Sequence, residues 1–375
     1  MPDPKRPPGP LTIYDVAARA GVSIASVSRV LNGQGRPRAN TRDRVMRAAN
    51  ELGFVPDGAA RALSNGLKEV VGVVFRRGDE MLEAEDESLL FIDVINRGID
   101  VAAQRRGFDV LMSSVGYNDD AAITRISAVA GRADGLILHD RLLPAAGVTR
   151  LAGRLPVVTL AGTPIRGAMN VRCDNGAGMR ALVRHLAVDH GYRGIAYLSG
   201  RTDSPDNRAR AHAFEVEAVA HNAEVHVGSG WQGDYSAAGG AKVIDSLFAS
   251  GSEIPRAIVC ANDQTALGVM HSLARHSMRI PQDVAVTGFD DVPIARHLHP
   301  PLTTVRQPMQ DLGATAFDIL YSKISTGKGK PDVVLPVKLI VRASCGCTSR
   351  AVEQLLPPEN YHRWSPRLTK ASTSR

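Results

Sequence analysis

The sequence predicts an all-α helix-turn-helix head followed by a larger α/β part with two lobes. Three short helical patterns with their own capping residues fill residues 12–53. From residue 70 onward, short apolar runs alternate with helical stretches, as in parallel sheets covered by helices. These runs are too many for one compact sheet, so two similar lobes are expected.

Residues 1–10 hold Pro2, Pro4, Pro7, Pro8 and Pro10 with no apolar run, and read as a disordered arm. The head follows over 11–57. Thr12 can cap a first helix, and Asp15 can reach back to it as in a capping box. Val16, Ala17 and Ala20 give that helix a narrow apolar face. Gly21 stands where the chain must reverse, a place for a residue tolerant of positive φ. Ser23 is the next N-cap. Val27, Val30 and Leu31 then repeat at helical spacing, so one face of the second helix is buried. Ile24, Ala25, Ser28 and Arg29 are left to meet a partner. Thr41 is the expected cap of a third helix carrying Val45, Ala48 and Leu52, which Gly53 closes. Two helices around a glycine turn are the layout that puts a second helix into the major groove of DNA.

The string Tyr14-Asp15-Val16-Ala17, Gly21-Val22-Ser23 and Val27-Ser28-Arg29-Val30-Leu31-Asn32-Gly33 resembles the DNA-binding domain of the lactose/galactose repressor family. The resemblance implies that Ile24, Ala25 and Arg29 read base edges. Ile24 and Ala25 offer only apolar contact, for example to thymine methyls, whereas Arg29 can bond a guanine in two places. Thr12, Tyr14, Ser23, Ser26 and Asn32 match positions that contact phosphates, which position without specifying. Residues 58–68 read as a hinge. Ala59–Leu63 favours helix but is too short to persist alone in water. By the resemblance it folds on DNA, with Ala60 at the groove and Leu63 wedged into a central base step of the minor groove.

The large part spans 69–345. Strands are expected at Val70–Phe75, Phe108–Ser113, Gly135–Leu138, Val157–Leu160, Gly194–Leu198, Val225–Gly228, Ala257–Cys260 and Val284–Gly288. Helices are expected at Phe91–Arg106, Gly176–His190, Arg208–His221 and Ala237–Ala249. The resemblance continues through Cys173-Asp174-Asn175-Gly176, His185-Leu186, His190-Gly191-Tyr192, Ala261 to Gly268, Gly288-Phe289-Asp290-Asp291, Pro300 to Val305 and Arg342-Ala343-Ser344. It implies a type I periplasmic-binding-protein-like domain. Lobe 1 is then expected at about 69–162 and 303–325, and lobe 2 at about 170–291. The chain would cross near 162–170, at 291–303 and after about 325.

In such folds ligands bind beyond the carboxyl ends of strands. By resemblance, Arg210, Asn262 and Asp290 hydrogen-bond a small effector, Tyr235 packs on it and Asp174 sits at the cleft edge. These groups suit a polyol: carboxylates and an arginine meet paired hydroxyls, and a ring covers a sugar face. A nucleobase or nucleoside is the alternative effector. Asp263 reads as the cap of the following helix. The acidic run Asp79 to Glu87 departs from the family pattern and reads as a solvated loop.

Charge divides unevenly. Residues 1–66 carry ten Lys and Arg against five Asp and Glu, and residues 348–375 carry five against two. The middle is nearly neutral, so the net +7 sits in the head and tail, as fits a nucleic-acid partner. No apolar run reaches the roughly 18–20 residues of a membrane span. The start has no apolar leader segment. Cys173, Cys260, Cys345 and Cys347 form no disulfide framework, and a cytoplasmic setting is expected. Cys345-Gly346-Cys347 is a close pair, but no histidine or cysteine at suitable spacing accompanies it, so no metal site and no cofactor are expected.

The resemblance implies a homodimeric transcriptional regulator, most simply a repressor, on a pseudo-palindromic operator in double-stranded DNA. No membrane partner is expected. The tail, 346–375, reads as flexible and too poor in apolar residues for a zipper. An enzyme is disfavoured: the sequence has no Gly-rich dinucleotide fingerprint after its first strand, no phosphate-binding loop and no nucleophile elbow. A solute-binding protein would not carry the helix-turn-helix.

Overall fold

The computed structural model describes residues 11–32, 37–55, 66–76, 89–116, 121–139, 142–348 and 352–356. The arm 1–10, the hinge positions Ala60 and Leu63, and the acidic run 79–87 lie outside them. The chain divides into two units, Met1–Val70 and Val71–Arg375.

In the first unit, α1 (Ile13–Ala20), α2 (Ile24–Leu31) and α3 (Ala39–Leu52) close on a small core of Val16, Ala17, Ala20, Val27, Val30, Val45, Ala48 and Ala49. The Asp15 carboxylate accepts from the Thr12 amide at 2.8 Å and its hydroxyl at 2.7 Å. These bonds hold its pKa below the usual carboxylate value. Gly21 ends α1 at φ 63°, and Gly53 ends α3 at φ 65°. The third helix starts earlier than expected: Arg38 is its N-cap and Thr41 lies inside its first turn. Pro37, just before the cap, presets an extended entry, so the helix starts without a hydroxyl cap.

The second unit opens with β1 (Val70–Arg76), α4 (Leu89–Gln104), β2 (Asp109–Val115), α5 (Ala122–Ala130), β3 (Gly135–Leu138), α6 (Ala145–Ala152), β4 (Val157–Leu160) and β5 (Met169–Cys173). It continues with α7 (Asn175–Arg184), β6 (Gly194–Leu198), α8 (Pro205–Ala220), β7 (Glu224–His226), α9 (Ala237–Ala249), β8 (Ala257–Cys260), α10 (Asp263–Arg275) and β9 (Ala285–Thr287). The return path is β10 (Thr304–Arg306), α11 (Met309–Thr326), β11 (Asp332–Leu335), β12 (Val337–Val341) and β13 (Val352–Leu356).

Two sheets carry the lobes. The first has the order β11-β5-β4-β3-β1-β2 and the second β7-β6-β8-β9. Pairing is parallel from β11 through to β1, and throughout the second sheet. β3, β4 and β8 are buried at every residue, as expected of strands covered on both faces. Glycines set how closely the covering helices approach. A Cβ on Gly98 of α4 would overlap the Gln310 carbonyl of α11, and one on Gly313 would overlap that of Ile95. The second lobe repeats the device, with Gly240 of α9 against Thr265 and Gly268 of α10 against Ala237.

The lobe boundaries differ from those expected. Met169–Cys173 belongs to the first sheet, so the first crossing comes after residue 173 and not at 162–170. The first lobe also returns beyond 325, because β11 pairs with β5. Both strands hide polar residues that satisfy one another. Asn170 accepts from Thr159 at 2.8 Å and donates to Asp332 at 3.0 Å, and Arg172 pairs with Asp332 at 3.0 Å. The tail is not flexible throughout: β13 pairs antiparallel with β12, Val337 facing Leu356.

A third, antiparallel sheet, β10-β12-β13, forms where the crossings run side by side. Asp291 is its electrostatic centre. Its carboxylate, with the side chain 1% exposed, meets Arg306 at 2.6 Å and Arg342 at 2.6 Å. Ser344 ties this region to β9 of the second sheet, its hydroxyl accepting from the Thr303 amide and donating to the Val286 carbonyl. Removing Asp291 leaves a buried arginine without its counter-ion, which costs about 3–5 kcal/mol. We therefore expect Asp291→Ala to lower the unfolding free energy of this unit by that amount, measured by urea denaturation. A loss under about 1 kcal/mol would show that the crossings are held by backbone pairing alone.

Candidate functional site

In the head, the helix turn is fixed from three sides. Ser23 caps α2, its hydroxyl accepting from the Ser26 amide at 3.2 Å. The Ser26 hydroxyl lies 2.9 Å from that of Ser23. Arg44 of α3 donates to the carbonyls of Ala20 and Gly21, pinning the turn against the third helix. This arrangement leaves Ile24, Ala25 and Arg29 exposed along one side of α2, with Ser28 half-buried beside them. Tyr14 and Thr12 are exposed at the start of α1. Asn32, half-buried, donates to the Ser28 hydroxyl at 3.2 Å. The expected base-reading side chains thus share the exposed side of α2, while Thr12 and Tyr14 stand at the start of α1 and Asn32 at the end of α2.

In the second unit, four of the five expected effector residues converge. Arg210, on α8, is buried over the Phe289 ring, its guanidinium carbon 3.8 Å from the centroid. It donates to Asn175 at 2.7 Å and to the Ala261 carbonyl at 2.6 Å, and lies 3.8 Å from Asp290. Asp290 follows β9 at φ 116° and accepts from Gln307 at 2.6 Å. Burial pushes its carboxyl up to about 6, against the opposing pull of Arg210 and Gln307. Asn262 follows β8, caps α10 through the Thr265 amide at 3.0 Å and donates to the Tyr235 carbonyl at 2.9 Å. Tyr235 packs its ring over Gly200, where a Cβ would overlap it, and donates to Ser204 at 3.1 Å. Its hydroxyl is pushed up to about 12 by burial. Asp174 stands at the N-terminus of α7, accepting from the Ala177 amide at 2.9 Å.

Asp263 is not the cap expected of it. Asn262 takes that role, and Asp263 turns inward to accept from Thr304 at 2.6 Å and the Val292 amide at 2.9 Å, joining α10 to the crossing. Three residues of the network were not expected: Asn175, which also donates to Asp206 at 3.0 Å; Asp206 itself; and Gln307. Gln307 follows the Pro300–Val305 string by two residues, so position could have flagged it. Asn175 lies inside the Cys173–Gly176 string beside Asp174 and could have been flagged in the same way, whereas Asp206 carries no comparable signal.

A cleft of about 270 Å³ lies beside this network. Leu138 and His139 at the end of β3 and Thr159 on β4 line one side; Asp203, Pro205 and Arg208 at the start of α8 line the other. It therefore joins the two lobes beyond the carboxyl ends of their strands. None of the five expected effector residues lines it. His139, held to about 4 by burial, faces Asn96 at 3.3 Å.

The expectation that Cys345-Gly346-Cys347 has no histidine partner does not hold. His185 and His190 stand against both cysteines. Their separation along the chain exceeds 150 residues, so no local spacing reveals them.

Residues 12–57 match the model for bacterial regulatory proteins of the lacI family, and residues 183–345 match that for a periplasmic binding protein-like domain. Catabolite control protein A of Priestia megaterium is 30% identical over 339 residues, 89% of this chain and 99% of that protein. The chain belongs to the lacI family. Among other relatives, the HTH-type transcriptional regulator CelR of Thermobifida fusca is 31% identical, covering 89% of this chain and 98% of that protein. The HTH-type transcriptional repressor PurR of Vibrio vulnificus is 30% identical, covering 84% and 92%. Among solved structures, the lac repressor dimer bound to operator and an anti-inducer superposes with a TM-score of 0.77 at 29% identity, over 90% of this chain and 99% of that one. This lacI-family chain is thus a DNA-binding transcriptional regulator with an effector-binding domain. Members of the family bind operators and small molecules and form dimers. Among the described residues, no helix is long and apolar enough to cross a membrane.

The cap on α2 sets the angle of the exposed face. Ser23→Ala should cost the head about 0.5–2 kcal/mol, the usual loss for an N-cap serine. It should be read as an earlier first transition in thermal unfolding followed by helical circular dichroism. An unchanged transition would assign the turn's stability to Arg44 instead.

Proposed function

We propose that this chain is a cytoplasmic, homodimeric repressor whose operator affinity is set by a sugar, and that it catalyses no reaction. The observation that carries the sugar is the convergence of Arg210, Asn262 and Asp290 with the Tyr235 ring. A cation, an amide and a carboxylate beside an aromatic face match paired hydroxyls on an apolar ring. A relative supports this choice: CelR, solved as a cellobiose complex, is 29% identical with a TM-score of 0.64 over 89% of this chain.

The effector enters through the cleft lined by His139, Thr159, Asp203 and Arg208. It then replaces the internal partners of Arg210 and Asp290 with its own hydroxyls. Binding shifts the population of lobe arrangements by the difference in effector affinity between them. DNA affinity follows through the hinge, residues 58–68, by the same coupling free energy. On DNA, Arg29 reads a guanine, Ile24 and Ala25 meet apolar base edges, and Leu63 wedges the centre of a pseudo-palindrome with Ala60 beside it.

Selection of bound fragments from a genomic library tests the regulator. A pseudo-palindrome with a flexible central step is expected. Salt-sensitive enrichment without symmetry would mean a general DNA binder. Thermal unfolding with panels of sugars and of purines tests the effector. Stabilisation by a purine and by no sugar would move the assignment to the nucleobase reading.

Arg29→Ala should weaken operator binding by about 1–3 kcal/mol while leaving affinity for random DNA nearly intact. Equal loss on both would make Arg29 a phosphate contact. Effector binding should also depend on pH through Asp290. Above about pH 6 its carboxylate accepts from hydroxyls; below, protonation removes that acceptor. Affinity should fall by up to about tenfold per pH unit below 6, and Asp290→Asn should flatten the profile. An equally steep profile in the variant would place the titrating group elsewhere, for example at His139.

A further inference from the structure

We propose that His185, His190, Cys345 and Cys347 form a structural zinc site that fastens the end of the third crossing to the second lobe. The four ligand atoms lie within 4.8 Å of one another. His185 Nε2 is 3.3 Å from His190 Nε2, 3.4 Å from Cys345 Sγ and 3.7 Å from Cys347 Sγ; His190 Nε2 is 3.4 Å from Cys347 Sγ. A tetrahedral zinc with bonds of about 2.0–2.1 Å to nitrogen and 2.3 Å to sulfur has edges of about 3.3 Å between nitrogens and 3.6 Å between nitrogen and sulfur. The four measured separations match those edges. Two thiolates neutralise a dication, so a half-buried site holds no net charge.

The local fold is shaped for these side chains. In an α-helix, residues five apart point about 140° away from each other. After α7 the chain widens into one π-turn, His185–Asp189, and the His190 amide bonds the His185 carbonyl at 3.2 Å. That turn brings the two imidazoles to 4.8 Å between centroids. π-turns are rare and concentrate at functional sites. The Asp189 carboxylate lies 2.8 Å from His185 Nδ1. A carboxylate only accepts, so Nδ1 carries the proton and Nε2 turns its lone pair toward the cysteines. A carboxylate behind a histidine in this way is the usual outer partner of a zinc-bound imidazole.

The cysteine side is equally fixed. Gly346 sits between the cysteines at φ 109°, where a Cβ would come within 2.7 Å of the Tyr192 hydroxyl. Tyr192 donates that hydroxyl to the Cys345 carbonyl at 2.9 Å and stacks on His190 at 5.0 Å. Arg256 also lies over the tyrosine ring, 4.4 Å from its centroid. All four positions of a tetrahedron are supplied by protein, so the site is closed and structural.

The test uses the full-length chain purified under reducing conditions. Elemental analysis should find about one zinc per chain. The zinc-stripped protein, titrated with cobalt(II), should show thiolate charge-transfer absorption and intense visible bands of a tetrahedral centre, both lost when zinc is added. Cys347→Ser should abolish the charge-transfer contribution of its thiolate and lower zinc content. Asp189→Asn, which keeps all four ligands, should weaken zinc binding by about 10–100-fold. If Cys347→Ser fails to fold, the wild-type cobalt spectrum decides alone. Zinc below a tenth of an equivalent together with only weak, octahedral cobalt bands overturns the proposal. So does a Cys345–Cys347 disulfide whose reduction restores no metal uptake.

Discussion

Asp291, held between Arg306 and Arg342, is the interaction on which the second unit's geometry depends. Two lobes joined by three strands have no shape unless the strands are fixed against one another. Backbone pairing does part of this work, but the chain bends sharply as it leaves β9. Asp290 and Asp291 both adopt positive φ, 116° and 57°, which non-glycine residues rarely tolerate. Such strain persists only where surrounding bonds over-determine it. The two arginines, the Val305 carbonyl and Gln307 supply those bonds. A buried ion pair is a poor source of net stability, yet separating its partners is costly, so the pair opposes any path of the crossings that pulls Asp291 from its arginines. Asp290 reaches Arg210 because Asp291 is held, and Ser344 and Cys345 end where they do because Arg342 is held.

The sequence was most legible where burial is uniform. Gly135–Leu138, Val157–Leu160, Gly194–Leu198 and Ala257–Cys260 are apolar runs in the sequence and strands with the same bounds in the structure. Met169–Cys173 was not legible, since Asn170 and Arg172 interrupt its pattern and find their partner in Asp332, about 160 residues away. Thr304–Arg306 was missed because it is three residues long and polar at both ends, and Val337–Val341 because it directly follows another strand, Asp332–Leu335; long-range pairing makes them strands. In the head, side-chain caps were readable at Thr12 and Ser23, while the start of α3 was not, because no side chain of Arg38 caps it.

The candidate site divides along the same line. Asn262 and Asp290 stand directly after buried strands, so position alone made them candidates, and the family resemblance added Arg210 and Tyr235. Their partners were less legible: Asn175 and Gln307 lie in or beside the resembling strings but gain their roles only by convergence, and Asp206 carries no signal. The same limit hid the His185, His190, Cys345 and Cys347 cluster. A sequence reading weighs residues that are near in the chain, whereas this cluster exists only once α7 and the last crossing have been brought side by side.

The paired glycines in each lobe carry a mechanical consequence. Gly98 and Gly313 seat backbone against backbone, as do Gly240 and Gly268. A contact of that kind contains few rotamers that can rearrange, and close-packed interiors transmit displacement instead of absorbing it. Helices locked this way do not slide over one another, so shear within a lobe is suppressed. Each lobe then behaves as a stiff lever, and bending is confined to the few residues of the crossings. A rotation of a few degrees there reappears undiminished at the far edge of the lobe, where it becomes a displacement large enough to be felt by whatever is attached.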